Sequence, residues 1–328
     1  AMAGRKVLKP PGAKKKRRYR PGWSGQIGAI VAGGIAIAAV AAAWGFDWGD
    51  TWDSNSAGRG GQDEGGLKIC KMQIVAEYPH DKDAFTQGLL VHDGRMFEST
   101  GLYGHSDLRE VDIETGQVIH KVDLDAKYFG EGLTVHNGRL LQLTWRENVM
   151  FEYDLDLNPI AQHSYAGEGW GLASQGDDQT LILTNGSSMF QYLDPTTKEV
   201  SGTTQVYYDD PHSTADTDVR RAVSHLNELE LIDGRIYANV WGGDVILVIV
   251  PETGQVTHVL NLSTLPYYEE LRKQKNEPRR DDVLNGIAFD EEKRKLYVTG
   301  KRWPVLYEVE LPDFSSCEYM LKPGSSST

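Results

Sequence analysis

Five residues recur at matching places along the sequence yet carry unlike side chains: Gln87, Glu131, Trp170, Asn227 and Asn285. A second set, Gly101, Trp145, Gly186, Trp241 and Lys301, follows them 14 to 16 residues later. A ring that only packed would repeat one residue type. Here the equivalent positions offer one acid, one amine, three amides and three indoles. Polar groups converging among aromatic walls are the usual form of a small-ligand site. Glu131 is the one acid of the first set. Among indoles its pKa should rise, because desolvation disfavours the charged form, and that suits proton transfer near neutral pH. Lys301, if close, would oppose the rise. Trp145, Trp170 and Trp241 either box a ligand or fill a channel. Asn227 and Asn285 either contact that ligand or cap their strands. Glu98, on the strand that follows Gln87, either supports the site or bonds a neighbour.

The elements that must position these residues form an internal repeat. Five segments follow one script of strand, turn, strand, polar turn, strand. They begin at QGLLVHDGRMFESTG, EGLTVHNGRLLQLTW, WGLASQGDDQTLILTNG, NELELIDGRIYANVW and NGIAFDEEKRKLYVTGK. The equivalent positions Gly88, Gly132, Gly171, Glu228 and Gly286 are spaced 44, 39, 57 and 58 residues apart. Alternation in LLVHDGRMFES and VILVIVPETGQV is strand-like, and HDG, HNG and IDG read as hairpin turns. Units of this length with room for four strands predict an all-β, five-bladed β-propeller. The inner strand of each blade lines the channel, so the two residue sets should meet at one mouth.

The fifth segment stops after three clear strands. Lys71–Tyr78 is predicted to return as its outer strand and close the ring. That would bring Cys70 beside SSCEYML and allow a Cys70–Cys317 disulfide, the alternative being two free thiols. Two long spacings hold insertions, at residues 207–222 and 262–282, the second containing a short helix at YYEELRKQ.

Net charge is −13, yet residues 1–22 hold nine Lys or Arg and no acid, so the rest is more acidic still. That is a poor footing for nucleic-acid binding. Residues 27–46 are 20 residues without a charge, preceded by KKKRRYR. Length and flank predict a type II signal-anchor, with a cleaved signal peptide as the other reading. The expected organisation is a cytosolic basic tail at 1–26, the anchor at 27–46, a flexible stalk at 47–66 and the propeller at 67–328. The propeller would then sit in the lumen of a secretory membrane, Golgi or endoplasmic reticulum, where disulfides persist. Two sequons follow, at Asn185 and Asn261. Asn185 falls beside the expected mouth, so Asn261, placed on an outer connection, is the better glycosylation candidate.

The motifs YPHDKDAFTQGL, FESTGLYG, YFGEGLT, WGLA, LNELE, NVW, VLNGIA and VTGKRWP, in this order from Tyr78 to Tyr307, resemble the plant-type glutaminyl cyclases. The resemblance implies a five-bladed propeller that converts N-terminal glutamine of peptides to pyroglutamate and releases ammonia. It implies Glu131 as the main acid/base, with Phe85, Gln87, Trp145, Trp170 and Trp241 as pocket residues. Asn227 and Lys301 would be polar contacts to the reacting centre. No cofactor is expected, since His80, His92, His105, His136 and His225 are scattered without ligand spacing. Partners would be peptides with N-terminal Gln and, through one helix, the membrane. A closed ring should remain a monomer. The competing readings are a non-catalytic peptide-binding propeller and a calcium-dependent propeller hydrolase.

Overall fold

Three tight turns set the repeat. Asp93-Gly94, Asn137-Gly138 and Asp233-Gly234 hold both central residues at positive φ, 51° and 72°, 49° and 67°, and 49° and 75°. This is the turn whose twist matches two antiparallel strands, and Asp-Gly and Asn-Gly reach it at least cost. The computed structural model describes residues 67–175, 179–210, 219–273 and 281–320.

Each turn joins the inner two strands of a blade built on four antiparallel strands. Blade one runs Thr86–His92, Arg95–Thr100, Asp107–Val111 and Val118–Asp123. Blade two runs Gly130–His136, Arg139–Thr144, Val149–Tyr153 and Pro159–Ser164. Blade three has the shortest inner strands, Leu172–Ser174 and Leu181–Leu183, then Met189–Leu193 and Val200–Gln205. Blade four comprises Leu226–Ile232, Arg235–Val240, Val245–Ile249 and Val256–Asn261. Blade five takes Leu284–Asp290, Lys295–Gly300 and Val305–Val309, and its fourth strand is Ile74–Pro79 from the start of the domain.

Period-two alternation builds the core, because successive side chains of a middle strand face opposite neighbours. In blade two, Leu140 packs with Phe97 and Leu108 of blade one, while Leu141 packs with Leu172 and Leu181 of blade three. In blade four, Leu247 meets Ile182 and Phe190 of blade three, and Ile246 and Val248 meet Ile287 and Phe289 of blade five. Leu89 and Met96 close the ring against Ala288, Tyr297 and Leu306.

Ring closure by the N-terminal strand is as the sequence predicts, but Lys71–Tyr78 is not one strand. Lys68–Lys71 leaves blade five altogether and pairs parallel with Val256–Asn261 of blade four. Glu318–Tyr319 pairs on its far side, giving blade four six strands. Cys70 and Cys317 form a disulfide with Cα atoms 4.6 Å apart. It ties the added strand of blade four to the segment leaving blade five. Asn261 is thereby corrected too: it ends a strand paired on both sides, with Val245 and Lys71, rather than an outer connection. Its Oδ1 accepts the Ser263 amide at 2.9 Å.

The insertion after blade three contains a hairpin, Tyr207–Asp209 with Arg220–Ala222. The insertion before blade five contains the helix Pro266–Lys273, with Pro266 at the first helical position where its missing N–H costs nothing. No helix among the described residues is long and apolar enough to cross a membrane. The basic tail, anchor and stalk at 1–66 lie outside them.

Candidate active site

The first set of residues shares a backbone device. In four of five blades the inner strand breaks register at its start, between Thr86 and Gly88, Gly130 and Leu133, Leu226 and Leu229, and Leu284 and Ile287. Gln87, Glu131, Asn227 and Asn285 sit within those irregularities. A bulge re-aims the side chain it carries. The next residue is Gly in four blades, and in blades one to three neighbouring backbone explains why. A Cβ at Gly88 would lie 2.5 Å from the Leu133 nitrogen, and one at Gly171 only 2.0 Å from the Asn227 oxygen. Blade four has Glu228 there instead. Its carboxylate accepts the backbone amides of Leu89 at 3.4 Å and Ile287 at 3.0 Å, linking blade four to blades one and five.

The second set joins at the same end. The amides of Gly101, Trp145, Trp241 and Lys301 donate to the carbonyls of Phe85, Phe129, His225 and Val283, two residues before the bulged positions. Glu131, 4% exposed, accepts a hydrogen bond on Oε1 from Gln87 Nε2 at 3.0 Å. Burial drives its pKa well above the ordinary carboxylate value. The Lys301 charge opposes this, and Glu147 and Glu168 reinforce it. Lys301 is 3% exposed and its ammonium lies 4.8 Å from the centre of the Phe85 ring. Desolvation lowers its pKa to about 8 against the pull of Glu131. The acid and the amine are thus brought toward each other in pKa at the same mouth.

Aromatic rings wall the site. Phe85 meets Phe129 edge-on at 6.0 Å between centroids, and Phe129 lies 5.5 Å from Trp145 and 5.3 Å from Tyr103. Trp145 Nε1 donates to Glu168 at 3.0 Å, with Arg146 stacked 3.7 Å over its ring. Tyr103 donates to Glu147 at 2.8 Å. Trp170 packs against Gly186, where a Cβ would lie 2.6 Å from the ring. Trp241 is 38% exposed beside His225. Buried Trp170 Nε1 and Asn227 Oδ1 have no hydrogen-bond partner among the described residues. An unpaired buried polar group costs about 1–3 kcal/mol, so one donor and one acceptor are held ready for something that enters.

A family model described as glutamine cyclotransferase matches residues 53–311. The chain belongs to the glutamine cyclotransferase family. Among curated proteins, the glutaminyl-peptide cyclotransferase of Arabidopsis thaliana is 42% identical over 254 residues, spanning 76% of this chain and 74% of that protein. Among solved structures, the glutaminyl cyclase of Myxococcus xanthus aligns with a TM-score of 0.65 at 34% identity, covering 75% of this chain and 98% of that one.

In this cyclotransferase the structure gathers Phe85, Gln87, Glu131, Trp145 and Lys301 into one connected cluster, with Asn227, Trp170 and Trp241 on the same ring of blade ends. Two residues turn elsewhere. Asn285 is fully buried, and its amide nitrogen is spent on Thr86 O and Gln87 Oε1. Glu98 is committed to His80 Nε2 at 3.1 Å and Thr86 Oγ1 at 2.7 Å. Phe129 was passed over by the sequence reading, although F-x-E-G at Phe129 repeats F-x-Q-G at Phe85 and so marked it as an equivalent wall. The rim carboxylates Glu147 and Glu168 carried no such sign, because their place depends on how the loops after strands fold back. Among the described residues no group of three or more His, Cys, Asp or Glu side chains is placed to hold a metal ion.

Proposed function

We propose that this cyclotransferase closes the N-terminal glutamine of peptides into pyroglutamate and releases ammonia. The observation that carries the reading is a buried carboxyl of raised pKa, Glu131, hydrogen-bonded by Gln87 and faced by a buried amine of lowered pKa, Lys301, inside aromatic walls. Strongly shifted groups clustered in a cleft are where proton transfer is done.

The α-amine of glutamine attacks its own side-chain amide carbon. One C–N bond forms and the bond to the amide nitrogen breaks. The attack is intramolecular, so holding the near-attack geometry supplies much of the rate. Phe85, Phe129 and Trp145 restrict the short side chain. Ionised Glu131 takes the proton lost by the amine and returns it to the leaving nitrogen, which departs as ammonia. Charge gathering on the amide oxygen meets preorganised donors, Lys301 and the amide of Asn227. Free α-amines have pKa values of about 7.7–8.0, so a neutral nucleophile is available at physiological pH.

The full chain in detergent, incubated with a Gln-Xaa peptide, should yield a product lighter by one ammonia, and Glu131→Gln should slow its formation by about 10²–10⁴. Folded wild-type chain that leaves the peptide unchanged would sink the reading.

The anchor and compartment belong to the same proposal. The basic block before residues 27–46 and the Cys70–Cys317 disulfide both support a lumenal domain on a secretory membrane. Resistance of the chain to carbonate extraction, with the propeller protected from protease in sealed vesicles, is the expected result. Release by carbonate would refute anchoring. Glycosylation at Asn261 predicts a mobility shift on endoglycosidase treatment that Asn261→Gln removes. Ring closure by the chain's own Ile74–Pro79 strand supports a monomer, to be read from light scattering.

A further inference from the structure

We propose that Asn285 is a positioning residue for the cyclisation, locking the Gln87 amide so that its NH2 end, not its carbonyl, faces Glu131. The inference rests on the reading of function above and reassigns Asn285 from the pocket wall to the layer behind it.

The orientation follows from which groups can donate. The Asn285 atom 3.0 Å from the Thr86 backbone oxygen faces an obligate acceptor, so it is the nitrogen. The same nitrogen lies 3.3 Å from the Gln87 side chain, and its second hydrogen requires an acceptor there, so that atom is Oε1. The other end of Gln87 is then its NH2, which donates to Glu131 Oε1 at 3.0 Å. One backbone carbonyl therefore dictates, through two amides, which face Glu131 meets.

Blade four holds the start of this relay still. Asn239 Oδ1 accepts the Gly286 amide at 2.9 Å and Glu228 Oε2 accepts the Ile287 amide at 3.0 Å, gripping the backbone on the C-terminal side of Asn285. Gly286 sits at φ 121°, so the turn that aims Asn285 inward needs glycine. Asn285 is 0% exposed and cannot be reached by a peptide from the mouth. Its Oδ1 is buried without a partner among the described residues.

The consequence is electrostatic. A donated N–H favours ionised Glu131, while an acceptor in its place would favour the protonated acid. The other groups acting on Glu131 are Lys301 from blade five, which favours ionisation, and Glu147 and Glu168 on the rim, which oppose it. The phenols of Tyr103 and Tyr165 also feel its charge. The Gln87 N–H is the one direct hydrogen bond to the Glu131 carboxyl among the described residues.

The test is Asn285→Asp in the full chain, assayed for kcat and KM from pH 5 to 9, alone and on a Gln87→Met background. A carboxylate at 285 accepts from Gln87, which must turn its NH2 inward and present its carbonyl to Glu131. The acid limb of kcat should move up by about one pH unit, with kcat near pH 6 falling about tenfold and KM nearly unchanged. On Gln87→Met, which has no amide to turn, only the through-space charge of a carboxylate at 285 remains, so Asn285→Asp should move the limb by less and the uncharged Asn285→Ala should not move it. Asn285→Ala, which frees Gln87 without adding a charge, should move the limb the same way by less and serves if Asn285→Asp does not fold. An unmoved limb in the folded Asn285 variants, a rise in KM in place of the shift, or the same shift on Gln87→Met would each overturn the lock. Inactive wild type would instead remove the reading of function on which it rests.

Discussion

Glu98 and Glu131 stand on neighbouring blades and are almost equally removed from water, at 1% and 4% exposure. Their chemistry is opposite. Burial acts on both in the same direction, yet Glu98 is held below the ordinary carboxylate value by His80, Arg109 and Thr86, whereas Glu131 is pushed well above it. The difference lies in the donors. His80 lies between the Trp303 carbonyl, an obligate acceptor at 2.7 Å, and Glu98 at 3.1 Å, so with Glu98 ionised both its nitrogens donate and the imidazolium form is favoured. Its pKa is raised, burial being outweighed by the Glu98 charge and hydrogen bonds. This pair seals the seam between blades five and one. Glu131 has one amide donor and an amine acting through space, which leaves its proton affinity available for chemistry. Depth of burial therefore does not separate a structural carboxylate from a catalytic one; the number and charge of its donors does.

The largest expected effect breaks the catalytic side of the comparison. Glu131→Gln should lower kcat by about 10²–10⁴, the range for losing a general acid–base, in the mass assay. The same change should raise the melting temperature at pH 7. The folded chain binds this proton more tightly than the unfolded chain does, so keeping Glu131 ionised costs stability at every pH above its unfolded value. A lower melting temperature would mean that the carboxylate is structural after all.

Next, Glu98→Ala leaves a buried imidazolium unpaired and should destabilise the fold by about 3–5 kcal/mol in urea titration. In wild type the two partners define a pH window. The Glu98 contribution is complete above its unfolded value of 4.5 and is lost as pH falls through its lower folded pKa. The His80 contribution is complete below 6.5 and is lost as pH rises through its higher folded pKa. The seam should therefore be strongest between pH 4.5 and 6.5. If the variant and wild type differ by a constant amount from pH 4 to 9, the ionised pair is not what holds it.

Removing the disulfide with Cys70→Ser and Cys317→Ser should cost about 2–4 kcal/mol and leave KM for a Gln peptide unchanged, because the bridge lies away from the mouth. The smallest effect sharpens the rim. Trp241→Ala should raise KM about tenfold, roughly the loss of 1–2 kcal/mol of apolar contact, with kcat little altered. A fall in kcat alone would place Trp241 against the reacting atoms.

Repeat counting could see five blades because three hairpins carry a local chemical sign, Asp93-Gly94, Asn137-Gly138 and Asp233-Gly234, that forces the turn, and the strand pattern around them recurs in the other two. Closure by an N-terminal strand was readable from a missing fourth strand in blade five. That Lys68–Lys71 departs to blade four was not, since a strand of four residues pairs with whichever edge lies near. The site was legible to the extent that it used equivalent positions: Gln87, Glu131, Asn227 and Asn285 share one place in the repeat. Position alone could not say that Asn285 faces backward or that Glu98 is spent on His80.

The sequence by itself determined the strand pattern, the turns, the ring of unlike residues at equivalent places and the family to which the chain belongs, because all of these are local or repeated. Only the tertiary structure decided what each buried polar group meets. Hydrogen-bond direction and desolvation depend on atoms brought from other blades, such as Thr86 O beside Asn285 or Lys301 opposite Glu131, and those neighbours are up to 199 residues away along the chain. Proton affinity belongs to that assembled surrounding, so it is not written at any single position.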